Sequence, residues 1–141
     1  MESLARRPSH QYPIIRQYMS AMPTTIGRRA SLAAARHSML THGVRHLPVL
    51  DGGRVVGMLS ERDLLLVETL PGLSPTEVAV EEAMATNPFV VSPDASVADV
   101  IDRMITHKIG SAVVGEGEQV LGVFTTIDAL RALSDLLAVE S

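Results

Sequence analysis

The chain has 141 residues, 46% hydrophobic and 20% charged, a balance that suits a packed globular protein and excludes a disordered one. It has no cysteine, which removes disulfides, thiolate nucleophiles and cysteine-based zinc sites. The net charge of −4 conceals a basic first third, where Arg6, Arg7, Arg16, Arg28, Arg29, Arg36 and Arg45 face the single acid Glu2. No apolar run approaches the roughly 18 residues of a membrane span, and MESLARRPSHQYP has no signal-peptide core. No membrane association and cytoplasmic residence are therefore expected. Nucleic acid is not an expected partner, because 3% aromatic content without tryptophan leaves almost no stacking platform. A solvated basic surface accounts for the arginines equally well.

Residues 1–13 read as a flexible tail. After Pro23, residues 24–26 read as a short strand. Ser31 then caps a helix whose apolar stripe is Leu32, Ala35, Met39 and Leu40, and Gly43 ends it. Strands over 46–50 and 54–59 flank Asp51-Gly52-Gly53, a hairpin signal. A helix over about 61–70 follows. In the joint PGLSPTEVAV, Ser74, Pro75 and Glu77 read as N-cap, first-turn proline and capping-box acid, so a helix should begin there.

The pattern then repeats. Residues 89–91 read as a strand, and Ser96 caps a helix with a capping box to Asp99. Its stripe is Val97, Val100, Ile101, Met104 and Ile105. Lys108 stands where Gly43 stood, so this helix should stop differently. Strands over 112–114 and 120–124 flank a GEGEQ turn, and a last helix runs over about 126–138. Sliding the sequence on itself by about 65 positions aligns Pro23 with Pro88, Met39 with Met104, Gly57 with Gly122 and Asp63 with Asp128 without a gap. Each copy is β-α-β-β-α, over 14–70 and 80–138, with 71–79 as linker. One copy is too small to bury both faces of its apolar elements, so the two are expected to pack as one α+β unit with a pseudo-twofold axis.

The most telling repeat is GMLSERDLL at 57–65 against GVFTTIDAL at 122–130. Ser60-x-x-Asp63 and Thr125-x-x-Asp128 fit a helix capping box with aspartate in the glutamate place, a reading that needs no ligand. Gly57 and Gly122 would be strand positions that admit close backbone approach. The same chemistry also suits a nucleotide. A helix N-terminus offers free N–H groups to an anion, an aspartate can accept both ribose hydroxyls, Ser60 or Thr125 can donate, and Arg62 can meet a phosphate. The glycine would then leave room for a flat base.

The phrases GVRHLPVLDGGRVVGMLSERDLL and KIGSAVVGEGEQVLGVFTTIDAL, with their order and duplication, resemble a tandem pair of CBS domains, the Bateman module, over about residues 15–137. The resemblance implies two pseudo-symmetric β-α-β-β-α repeats packed sheet to sheet. It implies binding of an adenosine compound (AMP, ADP, ATP or S-adenosylmethionine) as a regulatory ligand, with no obligatory cofactor. In such pairs each cleft is composite. Carried over, one cleft joins Asp128 and Thr125 to Thr25, Val44, Arg45 and His46; the other joins Asp63, Ser60 and Arg62 to Val90, Ile109 and Gly110. The resemblance also implies a flat homodimer, to which the apolar face of DALRALSDLLAV would contribute, and a regulated partner protein. No nucleophile elbow, P-loop or metalloprotease helix is present, so no enzyme is expected. His42 and His107 occupy matched helix ends, where the dipole explains them without a metal. Two other readings stay open: a ligand-free dimerisation or docking module, and nucleic-acid binding through the basic first third.

Overall fold

The structure is a computed structural model that describes residues 12–140, with side chains to residue 138. Most of the expected tail, residues 1–11, lies outside the described residues. The chain divides into two compact units. The first holds residues 22–89 with 117–120; the second holds described residues 12–21, 90–116 and 121–140. Each has two α-helices and a four-stranded sheet.

In the first unit β2 (Ile26–Gly27) runs parallel to β3 (His46–Asp51), β3 antiparallel to β4 (Arg54–Ser60), and β4 antiparallel to β5 (Ala85–Thr86). The register slips by one residue between Val49 and Leu50. Helices α1 (Leu32–His42) and α2 (Glu61–Glu68) complete it. Leu32, Ala35 and Met39 of α1, Leu47 and Val49 of β3, Leu59 of β4 and Leu64 of α2 form one buried cluster with Val80. Leu40, expected on that stripe, is 72% exposed. It sits about 100° round the helix from Met39, beyond the face that meets the sheet.

The second unit repeats this plan in the order β1-β8-β7-β6. Its strands are β1 (Ser20–Ala21), β6 (Val90–Val91), β7 (Ser111–Glu116) and β8 (Gln119–Thr125). Its helices are α3 (Val97–His107) and α4 (Thr126–Glu140). Ile105 is 70% exposed, the same miss as Leu40. The expected capping box of α3 is half formed: Ser96 accepts from the Asp99 N–H at 3.4 Å, but the Asp99 carboxylate does not return the bond.

Two further expectations fail. Lys108 ends α3 in the left-handed conformation (φ 55°) that Gly43 adopts at the end of α1 (φ 64°). The closing bonds also match: Val44 N–H to Met39 O at 3.0 Å, Ile109 N–H to Met104 O at 2.9 Å. The second helix therefore stops the same way, with lysine carrying the steric cost that glycine avoids. At the joint, Ser74 and Glu77 form a turn rather than a helix. The Ser74 carbonyl accepts from Glu77 and Val78, while the Ser74 hydroxyl is engaged with Thr76. Only a single 3₁₀ turn, Val80–Glu82, follows.

The compact units are offset from the sequence copies by one lead-in segment. The 3₁₀ turn Ile15–Gln17 belongs to copy one by alignment, yet Ile15 donates to Ala95 O at 2.9 Å and Arg16 to Pro93 O at 2.8 Å. The matched residues Val80 and Glu81 donate to Ala30 O at 2.7 Å and Arg28 O at 2.9 Å. The lead-ins thus continue into β1, which pairs with β8, and β5, which pairs with β4. Gly57 and Gly122 make those pairings possible. A Cβ on Gly57 would lie 2.5 Å from Met84 Sδ and 2.7 Å from the Ala85 carbonyl oxygen; one on Gly122 would lie 2.6 Å from the Ser20 carbonyl oxygen and 3.0 Å from Met19 Sδ. The close approach is real, and on the side where a Cβ would point a methionine and a strand make it.

Candidate functional site

The residues singled out by the repeated phrase gather at two helix starts, one per unit. In the first unit Ser60 leaves β4 in extended backbone and caps α2. Its hydroxyl accepts from the Asp63 N–H at 3.1 Å, and Asp63 Oδ2 accepts from the Ser60 N–H at 2.8 Å. This reciprocal box fixes Asp63 one turn into the helix. Among the described residues its second oxygen, Oδ1, accepts no hydrogen bond, and the residue is half-buried. Val44 and Arg45 lead into β3 beside the same helix start, where Arg45 O accepts from the Glu61 N–H at 2.9 Å.

His46 opens β3 directly opposite Ser60. Burial pushes its imidazole below the usual histidine value. The Asp63 carboxylate opposes that shift, the Arg45 guanidinium adds to it, and Glu61 opposes it more weakly. Arg45 and Arg62 are exposed, and neither guanidinium makes an ion pair among the described residues. The first helix start therefore carries two uncommitted cations and one uncommitted carboxylate oxygen.

The second helix start has the same backbone and a different finish. Asp128 Oδ2 accepts from the Thr125 N–H at 2.9 Å and from its hydroxyl at 3.2 Å. The Thr125 hydroxyl donates to the acid, whereas the Ser60 hydroxyl accepts from the helix. Asp128 Oδ1 accepts from Arg131 Nη1 at 3.1 Å. Asp128 is 2% exposed, the only buried charged residue among those described. Gly110 O accepts from both the backbone N–H (3.1 Å) and the hydroxyl (3.2 Å) of Thr126. No arginine stands beside this aspartate on the lead-in side, since Arg45-His46 becomes Gly110-Ser111 and Arg62 becomes Ile127.

The structure thus brings Val44, Arg45, His46, Ser60, Arg62 and Asp63 together in one unit, and Ile109, Gly110, Thr125 and Asp128 in the other. Thr25 precedes β2 and is half-buried; Val90 opens β6 and is exposed. Sequence reasoning missed Arg131. Its signal was available as Asp-x-x-Arg at the i, i+3 spacing of helical neighbours, against Asp-x-x-Leu in copy one. Sequence reasoning also missed an open depression of about 330 Å³ lined by Gly27, Arg28, Arg29, Leu50, Asp51 and Gly52, which takes in none of the expected site residues.

A protein-family model described as "CBS domain" matches the chain twice, over residues 15–68 and 80–135. The chain belongs to the CBS family. The two matches are the two copies of the repeat. Hypoxic response protein 1 of Mycobacterium tuberculosis is 28% identical over 126 residues, covering 89% of this chain and 88% of that protein. Among solved structures, AcuB from Vibrio cholerae superposes with a TM-score of 0.78 at 28% identity, covering 92% of this chain and 96% of that one. The CBS pair of MJ0100, in complex with 5′-methylthioadenosine and S-adenosyl-L-methionine, gives 0.80 at 23% identity over 89% and 98%. CBSX2 in complex with AMP gives 0.73 at 20% identity over 87% and 97%. The last two likenesses bear on the CBS fold alone. Among the described residues no three histidine or acidic side chains are grouped so as to hold a metal ion, and no helix is long and apolar enough to cross a membrane.

Proposed function

We propose that this CBS pair is a regulatory sensor of an adenosine compound and catalyses no reaction of its own. The observation that carries the reading is the first helix start, where, among the described residues, Asp63 is held by its capping box with one oxygen uncommitted and Arg45 and Arg62 make no ion pair. A carboxylate with a free acceptor suits a ribose hydroxyl, and a guanidinium suits a phosphate. CBS pairs of the same fold hold AMP in one protein and S-adenosylmethionine with methylthioadenosine in another. Ligand binding would favour one conformation of the protein over others by its differential affinity. The change would be read by a partner protein.

Thermal unfolding with AMP, ADP, ATP and S-adenosylmethionine, each at about 1 mM, tests this. A ligand at about 100 times its dissociation constant adds about 2.7 kcal/mol, a rise of several degrees for a chain of this size. The rise should shrink clearly in Asp63→Asn. If no compound raises the midpoint, the sensor reading falls and the ligand-free docking module takes its place.

We also propose a homodimer that uses α4. Ile127, Leu130, Leu133 and Leu137 are exposed at near-helical spacing along that helix. Light scattering should give twice the monomer mass, and Leu133→Glu with Leu137→Glu should halve it.

A further inference from the structure

Two copies of one phrase end with different partners for their aspartates, and one residue makes much of the difference. Arg131 stands three residues after Asp128 and donates to its Oδ1 at 3.1 Å. The matched residue after Asp63 is Leu66, which cannot donate and is 61% exposed. Asp128 already accepts three hydrogen bonds of the roughly four a carboxylate can take: Oδ2 serves the N–H and hydroxyl of Thr125, and Oδ1 serves Arg131. Among the described residues, Asp63 keeps Oδ1 open.

We infer that Arg131 is an internal competitor for Asp128, so that an adenosine compound is held first through Asp63 and the Asp128 position takes ligand only when Arg131 is displaced. The inference rests on the sensor reading and adds to it which aspartate serves the ligand and which residue decides. A ribose brings two hydroxyls and needs two acceptor positions, so the guanidinium must let go before both can donate to Asp128. The Arg131 side chain is 57% exposed, so it can move into water without unpacking the core. The competition should therefore weaken the second position by about five- to tenfold rather than abolish it, as expected for a pair with one exposed partner.

The reciprocal exchange tests the inference, because positions 66 and 131 are both exposed and either substitution should leave the fold intact. AMP and S-adenosylmethionine would be titrated by calorimetry into the wild type, Asp63→Asn, Asp128→Asn, Arg131→Leu and Leu66→Arg, each checked for native melting. Expected are a tighter site removed by Asp63→Asn and untouched by Asp128→Asn, a second site strengthened about five- to tenfold by Arg131→Leu, and a first site weakened to a similar degree by Leu66→Arg. The inference is overturned if the tighter site disappears in Asp128→Asn, or if Arg131→Leu leaves the affinities unchanged while the wild type binds normally. Failure of both ligands to bind any variant would instead sink the sensor reading, and this inference with it.

Discussion

Asp63 and Asp128 occupy one position in two copies of the same phrase, yet their units treat them differently. In the first unit the carboxylate is half-buried, holds one backbone N–H and shares its surroundings with a partly buried histidine and two arginines that make no ion pair among the described residues. In the second it is buried, accepts three hydrogen bonds and has no arginine at the positions matching Arg45 and Arg62. The duplicated backbone supplies the same helix start twice, and substitutions at 45/110, 62/127 and 66/131 leave one aspartate with a free oxygen and the other with both oxygens engaged. A pseudo-symmetric frame thus does not imply two equal sites. The side chains one turn along the helix and across in the lead-in segment decide what each can accept.

The largest expected effect treats the units alike. Gly57→Ala and Gly122→Ala should each lower stability by about 2–3 kcal/mol in urea unfolding, because the added methyl meets strand backbone that cannot yield cheaply. A cost confined to one of them would break the structural equivalence. The aspartates should then separate. Asp128→Ala leaves the Thr125 N–H without its acceptor and should cost about 2 kcal/mol. Asp63→Ala removes half a capping box and should cost about 1 kcal/mol. Equal costs would show that the buried contacts of Asp128 add nothing.

Next in size is a gain. Lys108→Gly should stabilise the second unit by up to about 1 kcal/mol, since lysine is strained at φ 55° where glycine is not. Gly43→Lys should cost a similar amount in the first, read as opposite shifts in midpoint. The smallest difference is with pH. The His46 imidazole titrates below its ordinary value of 6.5 in the folded protein, so the unfolded chain binds the proton more readily. Stability should be level above about pH 7 and fall as pH drops through 6.5 toward the folded value. His46→Ser, which copies the matched Ser111, should remove that component of the slope in a series of melts.

The sequence by itself determined the duplication, the four helices, the two hairpins and the caps at Ser31, Ser60 and Ser96, all of which appear where the local pattern placed them. Such signals act over three to seven residues, and a chain can express them before it is packed. It also marked Gly57 and Gly122 as places of close approach, without saying what approaches. The tertiary structure alone decided that Met84 and β5 lie over Gly57, and Met19 and β1 over Gly122, because those pairings rest on hydrogen bonds between residues about 50 to 80 positions apart, such as Ile15 to Ala95 and Val80 to Ala30. Tertiary context also held Lys108 in a conformation its own preference opposes, turned Ser74-Pro75-Thr76-Glu77 into a turn, and left Leu40 and Ile105 outside. The site divides in the same way. Ser60, Asp63, Thr125 and Asp128 could be read from spacing, while the commitment of Asp128 to Arg131 and the open oxygen of Asp63 depend on burial and on which side chain reaches the carboxylate, and neither is a property of the phrase that the two copies share.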